Sequence, residues 1–424
     1  MRKWLIAVLF IISMFLIIRF EQYQNLSEMQ TDDQADETII LTVLAGQSTS
    51  DAGIEDMIDE ALADKFPNVQ LEWECVDWGE KFDSQMQARF AAGDAPDIMV
   101  GKAQDIGTYA SGDNLAPIAE VTTEKIKVQA LEAVTIKGVV YGIPYNALYQ
   151  GVIFNKNTFK RLGLEPPTTL SELDEITKIL KENKVTPFAA HFQESWKIGN
   201  MTMQFLMNDI FSKEPDWGNL FRDNKDSFST NGKVRSCLEQ NQCILDNTWT
   251  DAMMIDQYES DRRFLEGEAA MYLTGSWSLQ SVNQYNDDLE YGIFPYPNQT
   301  GDACLIRETN MTFMKSNTSK YGDLIDQIFE ELVTNETLVQ DILDFTQAYS
   351  TIKEIEPKYK SRIEEDIRWY EDNNQVVEVT TGNNQLIWTF QNDVAAMQQE
   401  WLQGAITIEE VLQYADKHRE ESSN

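Results

Sequence analysis

Apolar and polar positions alternate in two distinct rhythms along the first third of the chain. Thr38 to Leu44 is a short apolar, β-branched run, which predicts a buried strand. Ile54, Met57, Ile58, Ala61, Leu62 and Phe66 then recur at helical spacing within Asp51–Phe66, and Pro67 ends that helix. Val69, Leu71, Trp73 and Cys75 alternate with polar residues, the period of a second strand. Phe82, Met86 and Phe90 mark another helix that stops at Gly93, and Asp97–Val100 is a third short strand. Strand–helix–strand–helix–strand at this spacing predicts an α/β unit with a mainly parallel sheet. Ligands of such sheets sit beyond the carboxyl ends of the strands. Here those ends are Ala45-Gly46-Gln47-Ser48, Asp77-Trp78 and Gly101-Lys102.

The rhythm changes at Gly138–Lys156, where two β-rich runs are broken by Gly142 and Pro144. Thr169 with Glu172 three residues later is a capping box for a helix reaching about Leu180. A second α/β unit therefore starts near residue 150. Ala270–Leu273 and Tyr291–Phe294 read as later strands, and the chain from 320 onwards is mostly helical. Thr407 with Glu410 caps the last helix. No internal repeat of 20–50 residues is present.

The N-terminus follows neither rhythm. Met1-Arg2-Lys3 precedes the apolar run Trp4–Ile18, the pattern of a secretory signal. As a helix the run is about 22 Å long, short of a ~30 Å hydrocarbon core, a gap that snorkelling of Arg19 narrows. An uncleaved signal-anchor and a cleaved signal compete over residues 1–20, against a buried helix of a cytosolic domain. The basic flank places the remainder outside the cytoplasmic membrane. Residues 21–37 carry six acids and no base, and read as a solvated tether.

Composition narrows the chemistry. The 424 residues are enough for two to three domains' worth of chain. Net charge is −36, so nothing would neutralise the phosphates of a nucleic acid. Hydrophobic residues make up 42%, which argues against acidic disorder. Only His191 and His418 are present, so a three-histidine zinc centre is excluded. Cys237 and Cys243 stand at C-x5-C, which is no metal pattern. A loop disulfide and four unpaired thiols are both open. There is no G-x-G-x-x-G, no G-x-x-x-x-G-K-[ST] and no H-E-x-x-H. Gly46-Gln47-Ser48-Thr49-Ser50 departs from a nucleophile elbow at its last position. No catalytic residue, metal or cofactor is expected.

Five segments, in order, resemble one family. Ala91-Ala92-Gly93-Asp94-Ala95-Pro96-Asp97-Ile98 is similar to an A-x-G-x-x-P-D-[IV] segment of family 1 extracellular solute-binding proteins, the binding components of ABC sugar importers. Tyr141-Gly142-Ile143-Pro144-Tyr145 with Val152–Lys156 resembles the family's hinge region, and Pro167–Leu173 its P-x-T-W-x-E-L helix start. Phe264–Met271 with Gly275-Ser276-Trp277 resembles its F-x-x-G-x-A-A-M…G-x-W block, and Trp401–Val411 its closing helices. The lipobox cysteine of many members is missing, since the first cysteine is Cys75.

The resemblance implies a two-lobed periplasmic-binding-protein-like fold (class II). Each lobe is a sheet flanked by helices, with a ligand cleft between them. It places 38–146 plus 289–332 in one lobe and 147–288 plus 333–424 in the other. It implies a monomeric receptor that closes on a carbohydrate, an oligosaccharide, and delivers it to ABC permease subunits. A glycoside hydrolase using Glu194, a receptor serving a sensor, and a non-sugar ligand such as a polyamine are the alternatives.

A sugar site needs flat aromatic faces and amide, carboxylate or guanidinium groups. Trp277, after Ser276, resembles the family's stacking tryptophan. Trp196 with Glu194, and Trp388, resemble other aromatics near the cleft. Gln47 and Ser48 end the first strand, where capping is the competing role. Tyr145 and Asn146 lie at the hinge, where strand packing competes. Trp78, Lys102, Gln104 and Arg307 complete the candidate set. Asp97 is read as structural, Trp73 as core, and His191 as a satisfied structural histidine.

Overall fold

A computed structural model describes residues 38–46, 53–76, 80–279 and 289–423 of the protein. The expected signal or anchor, the acidic tether, Gln47, Ser48 and Trp78 lie outside the described residues. Among the described residues no helix is long and apolar enough to cross a membrane.

The described residues form twelve strands: β1 (Ile39–Gly46), β2 (Val69–Val76), β3 (Ile98–Gly101), β4 (Thr135–Ile136), β5 (Val139–Val140), β6 (Ile143–Asn155), β7 (Thr186–Ala189), β8 (Ala269–Gly275), β9 (Tyr291–Phe294), β10 (Leu305–Lys315), β11 (Tyr349–Ser350) and β12 (Val376–Glu378). The main sheet runs β2-β1-β3-β10-β6-β8-β7. β1 is parallel to β2 and β3, as the βαβαβ pattern predicts. Helices Ile54–Ala63 and Glu80–Ala92 make the two crossovers.

Two long strands serve both halves of the molecule. The first half of β6 pairs antiparallel with β10 from Ile143 to Gln150, while its second half pairs with β8 and β9. One core gathers Leu41, Val43, Ile98, Ile143 and Phe313 under Ile325, Phe329, Leu338 and Ile342. The other gathers Val152, Phe154, Phe188, Met271 and Phe294 with Ile198, Phe205, Val394 and Leu412. The chain therefore changes core in β6, in β10, and again between Ile355, which is buried in the first core, and Ile363, which is not.

This packing moves two segments from their expected lobes. Helix Glu336–Thr346 buries Leu338, Val339, Ile342 and Leu343 in the first core, although 333–424 is expected in the second. β9 lies in the second core, because its hydrogen-bond partners are Val152–Asn155 of β6. Local periodicity gives each segment an apolar face but not the surface it covers.

Cys237 and Cys243 both lie on helix Gly232–Leu245. Six residues at 1.5 Å per residue separate them by about 9 Å along the axis, beyond disulfide reach. None of the four cysteines is in a disulfide. Reduction is accordingly expected to leave the melting temperature unchanged, and a thiol titration in denaturant should count four groups. A count of two would contradict the free pair.

Candidate functional site

The floor between the two cores is polar. β3 ends at Gly101, and Lys102 follows with its ammonium 3.1 Å from Glu308 Oε1 on β10. Gln150 of β6 donates to Glu308 Oε2 at 2.6 Å. Asn200 donates to Gln150 Oε1 at 2.9 Å, and Gln204 donates to Asn200 Oδ1 at 3.3 Å. Asn200 and Gln204 sit one turn apart on helix Ser195–Leu206, whose other side packs in the second core. Five side chains thus run from the end of a first-core strand, through both crossing strands, to a second-core helix. Burial disfavours the Lys102 charge, but Glu308, with Asp105 and Asp83, outweighs it and the ammonium is held above its ordinary range.

Beside this chain lies a cavity of about 170 Å³ walled by both halves of the molecule. Asp83, Gln104, Asp105 and Tyr109 come from the first, and Asn383 and Trp388 from the second. Asn383 donates across the gap to Gln104 Oε1 at 3.2 Å. Gln391 donates to Asn383 Oδ1 at 2.9 Å and fixes that amide. The Asn383 wall is anchored from behind. Gly218 N–H donates to Gln385 Oε1 at 2.7 Å, and a side chain at 218 would meet Gln385 backbone at 2.4 Å. Burial, reinforced by Asp83, pushes the Asp105 carboxyl up to about 7 against the pull of Lys102.

Trp277 stands at the turn after β8. Its ring folds back over Gly275, where a Cβ would lie 1.9 Å from it. Ser276 is buried beneath and accepts from Tyr149 N–H at 3.2 Å. Trp277 stays partly exposed and packs against the first core, although the turn carrying it extends a second-core strand. The structure thus sets Gln104 and Trp388 on the two walls of the cavity, while Lys102 lies in the adjoining polar chain.

Other expected residues go elsewhere. Tyr145 is fully buried: its ring packs edge-on against Phe313 and its hydroxyl donates to Leu332 O at 3.0 Å. Asn146 is also buried, paired in register with Asn310 and Ser350. For Tyr145 strand packing wins over ligand contact, whereas the buried Asn146 Oδ1 has no hydrogen-bond partner. Arg307 neighbours Glu308 on the same strand, so the two side chains point to opposite faces. It pairs with Glu378 and lines a separate cavity of about 370 Å³ with Tyr149 and Tyr349, behind the crossing strands. Glu194 and Trp196 flank the first residue of helix Ser195–Leu206, beside a fully buried His191. The His191 Nδ1 lies 3.1 Å from Glu194, and the two rings are 5.5 Å apart. His191, with help from Trp196, pulls the Glu194 carboxyl down to about 2. Burial pushes the His191 imidazole below its ordinary range.

Sequence reasoning missed Asp83, Asp105, Gln150, Asn200, Glu308 and Asn383. Asp105 was within reach, because it follows a strand end by four residues. Gln150 and Glu308 were not, because only the crossing of β6 and β10 brings them together. Among the described residues no group of three His, Cys, Asp or Glu side chains is arranged to hold a metal.

Comparison with known proteins agrees with this architecture. The sequence model of a family described as bacterial extracellular solute-binding proteins matches residues 45–337, well over half of the chain. An uncharacterised ABC transporter extracellular-binding protein of Pyrococcus horikoshii is 27% identical over 262 residues, 58% of each chain. A maltotriose-binding protein of Pyrococcus abyssi is 25% identical over 247 residues, 56% of this chain and 50% of its own length. The chain thus spans about half the length of the curated relatives it matches. A solved chitin oligosaccharide binding protein superposes with a TM-score of 0.74 at 18% identity, covering 91% of this chain and 99% of its own. By its sequence and its two-lobed α/β fold, this chain belongs to the bacterial extracellular solute-binding proteins.

Proposed function

We propose that the protein is an extracytoplasmic receptor that captures a carbohydrate, an oligosaccharide, between its two lobes and presents it to the permease of an ABC importer. The observation that carries this reading is the cleft wall itself. A partly exposed indole, Trp388, faces amide and carboxylate side chains of the opposite lobe, the donor set that a sugar's faces and hydroxyls require. The family's description as extracellular and the oligosaccharides named for its relatives support the same reading. The ligand would be enclosed by bending at the three places where the chain changes core. The receptor acts as a monomer, held at the membrane by its N-terminal segment.

A panel of oligosaccharides tests this by calorimetry and by small-angle scattering. Binding should shrink the radius of gyration. Trp388→Ala and Trp277→Ala should each weaken binding roughly ten-fold, about 1–1.5 kcal/mol for a lost stacking face. If no carbohydrate binds, or if binding leaves the scattering profile unchanged, the reading fails. A glycoside hydrolase built on Glu194 has less support. Its general acid needs a raised pKa, and His191 holds that carboxyl down at about 2.

A further inference from the structure

We propose that the cavity between Asp83, Asp105 and Trp388 is a subsite for a sugar ring bearing an ammonium group, that is, an amino sugar. This rests on the carbohydrate-receptor reading and sharpens it. The first observation is charge. Asp83, Asp105 and Glu132 line the cavity, and no lysine or arginine does. The neighbouring cation, Lys102, lies outside this lining with its ammonium 3.1 Å from Glu308, and it offsets only part of the carboxylate charge, since both Asp83 and Asp105 stay raised against its pull. Asp83 and Asp105 are close enough that Asp83 opposes ionisation of Asp105, on top of burial. A neutral sugar leaves that repulsion in place. An ammonium between the carboxylates removes it and forms charge-assisted hydrogen bonds.

The second observation is an unspent hydroxyl. Tyr109 lines the same cavity, is 4% exposed, and its buried hydroxyl has no hydrogen-bond partner. Its ring is pinned edge-on against Phe90 at 5.1 Å, so the hydroxyl has little freedom to seek a partner. A buried hydroxyl left unpaired is unfavourable, and a ligand group at this position would relieve it. The third is shape and surface. About 170 Å³ is below the ~300–1,000 Å³ of a drug-sized pocket, so the space suits one ring rather than a whole oligosaccharide. Trp388 offers an indole face, which attracts a cation as well as the C–H face of a sugar. The cross-lobe pair Gln104–Asn383 lines the same cavity, so a ring seated here touches both lobes.

The test compares three β-linked disaccharides of one length by calorimetry on the full chain at about pH 6.5, where the sugar ammonium is charged. They are the glucosamine dimer, its N-acetylated form and cellobiose. The glucosamine dimer should bind at least about ten-fold more tightly than either neutral form. Asp105→Asn should cut that preference to within about three-fold, and Asp83→Asn, on a partly exposed helix turn, gives the same reading should the first variant not fold. Equal or tighter binding of cellobiose or the acetylated dimer overturns the inference. So does spermidine binding as tightly as the amino sugar, since the ring would then contribute nothing. If other neutral oligosaccharides bind with closure while the glucosamine dimer shows no preference, the inference falls and the receptor reading stands. If no carbohydrate of any kind binds, both fall.

Discussion

Replacing Trp217 by alanine is expected to lower the unfolding free energy by about 3–5 kcal/mol, the usual cost of truncating a buried indole. Trp217 is fully buried. Its ring stacks nearly parallel to Phe221 at 5.4 Å and contacts Phe211 at 5.5 Å and Phe228 at 5.9 Å. The cluster is too crowded with rigid rings to collapse into the vacated space, which puts the loss at the upper end. The indole N–H also donates to Asp226 Oδ2 at 2.8 Å, an oxygen shared with Asn231 at 2.8 Å. Removing the ring deletes that donor. Trp217→Phe should keep most of the apolar area and cost less, about 1–2 kcal/mol. Urea unfolding with the slope held constant is the measurement; a loss below about 1 kcal/mol would contradict the packing. The effect should reach the cleft. Gly218, the next residue, holds Gln385, and Arg222 on the same helix donates to Gln385 O at 2.8 Å. The wall carrying Asn383 and Trp388 therefore rests on this helix, and ligand affinity should fall along with stability.

The fate of each sequence expectation depended on how local its signal was. The capping boxes at Thr169–Glu172 and Thr407–Glu410 form as read, because every partner lies within one turn. β1, β2 and β3 and their two helices were legible from periodicity, and Gly93 takes the left-handed φ of 68° that ends the second helix. Pro144 was read as a break, yet β6 runs through it from Ile143 to Asn155. Proline is tolerated there because it is only the second residue of the strand, near its start. Tyr145 was misplaced although its core-facing register was readable from Ile143 two residues earlier. The cleft was the least legible part. Its floor joins residues 102, 150, 200 and 308, brought together by antiparallel pairing of strands about 150 residues apart. No window of sequence contains such a juxtaposition.

Glu308→Ala is the second large effect expected, about 3 kcal/mol of stability together with a looser hinge. Glu308 keeps 7% of its side chain exposed and accepts from both Lys102 and Gln150. Its removal leaves the Lys102 ammonium without that carboxylate and the Gln150 amide without its acceptor, both in a confined polar floor. Breaking one side of a buried pair typically costs 3–5 kcal/mol; the low end applies because Lys102 retains 31% exposure. Glu308→Gln keeps an acceptor for Gln150 and loses only the charge, so about half the penalty should remain. Lys102→Met combined with Glu308→Ala should recover most of it, because neither charge is then left alone. The pH dependence follows from the raised Lys102 pKa. Its contribution is complete below the ordinary lysine value and disappears only as pH rises through the higher folded value, so neutral and alkaline conditions to about pH 10 should give the same difference. Because Glu308 and Gln150 sit on the two crossing strands, their link also stiffens the place where the lobes bend. Scattering from ligand-free Glu308→Ala should show a broader spread of lobe angles than wild type. Stability within about 0.5 kcal/mol of wild type, with an unchanged scattering profile, would show that this polar chain neither holds the floor together nor restrains the hinge.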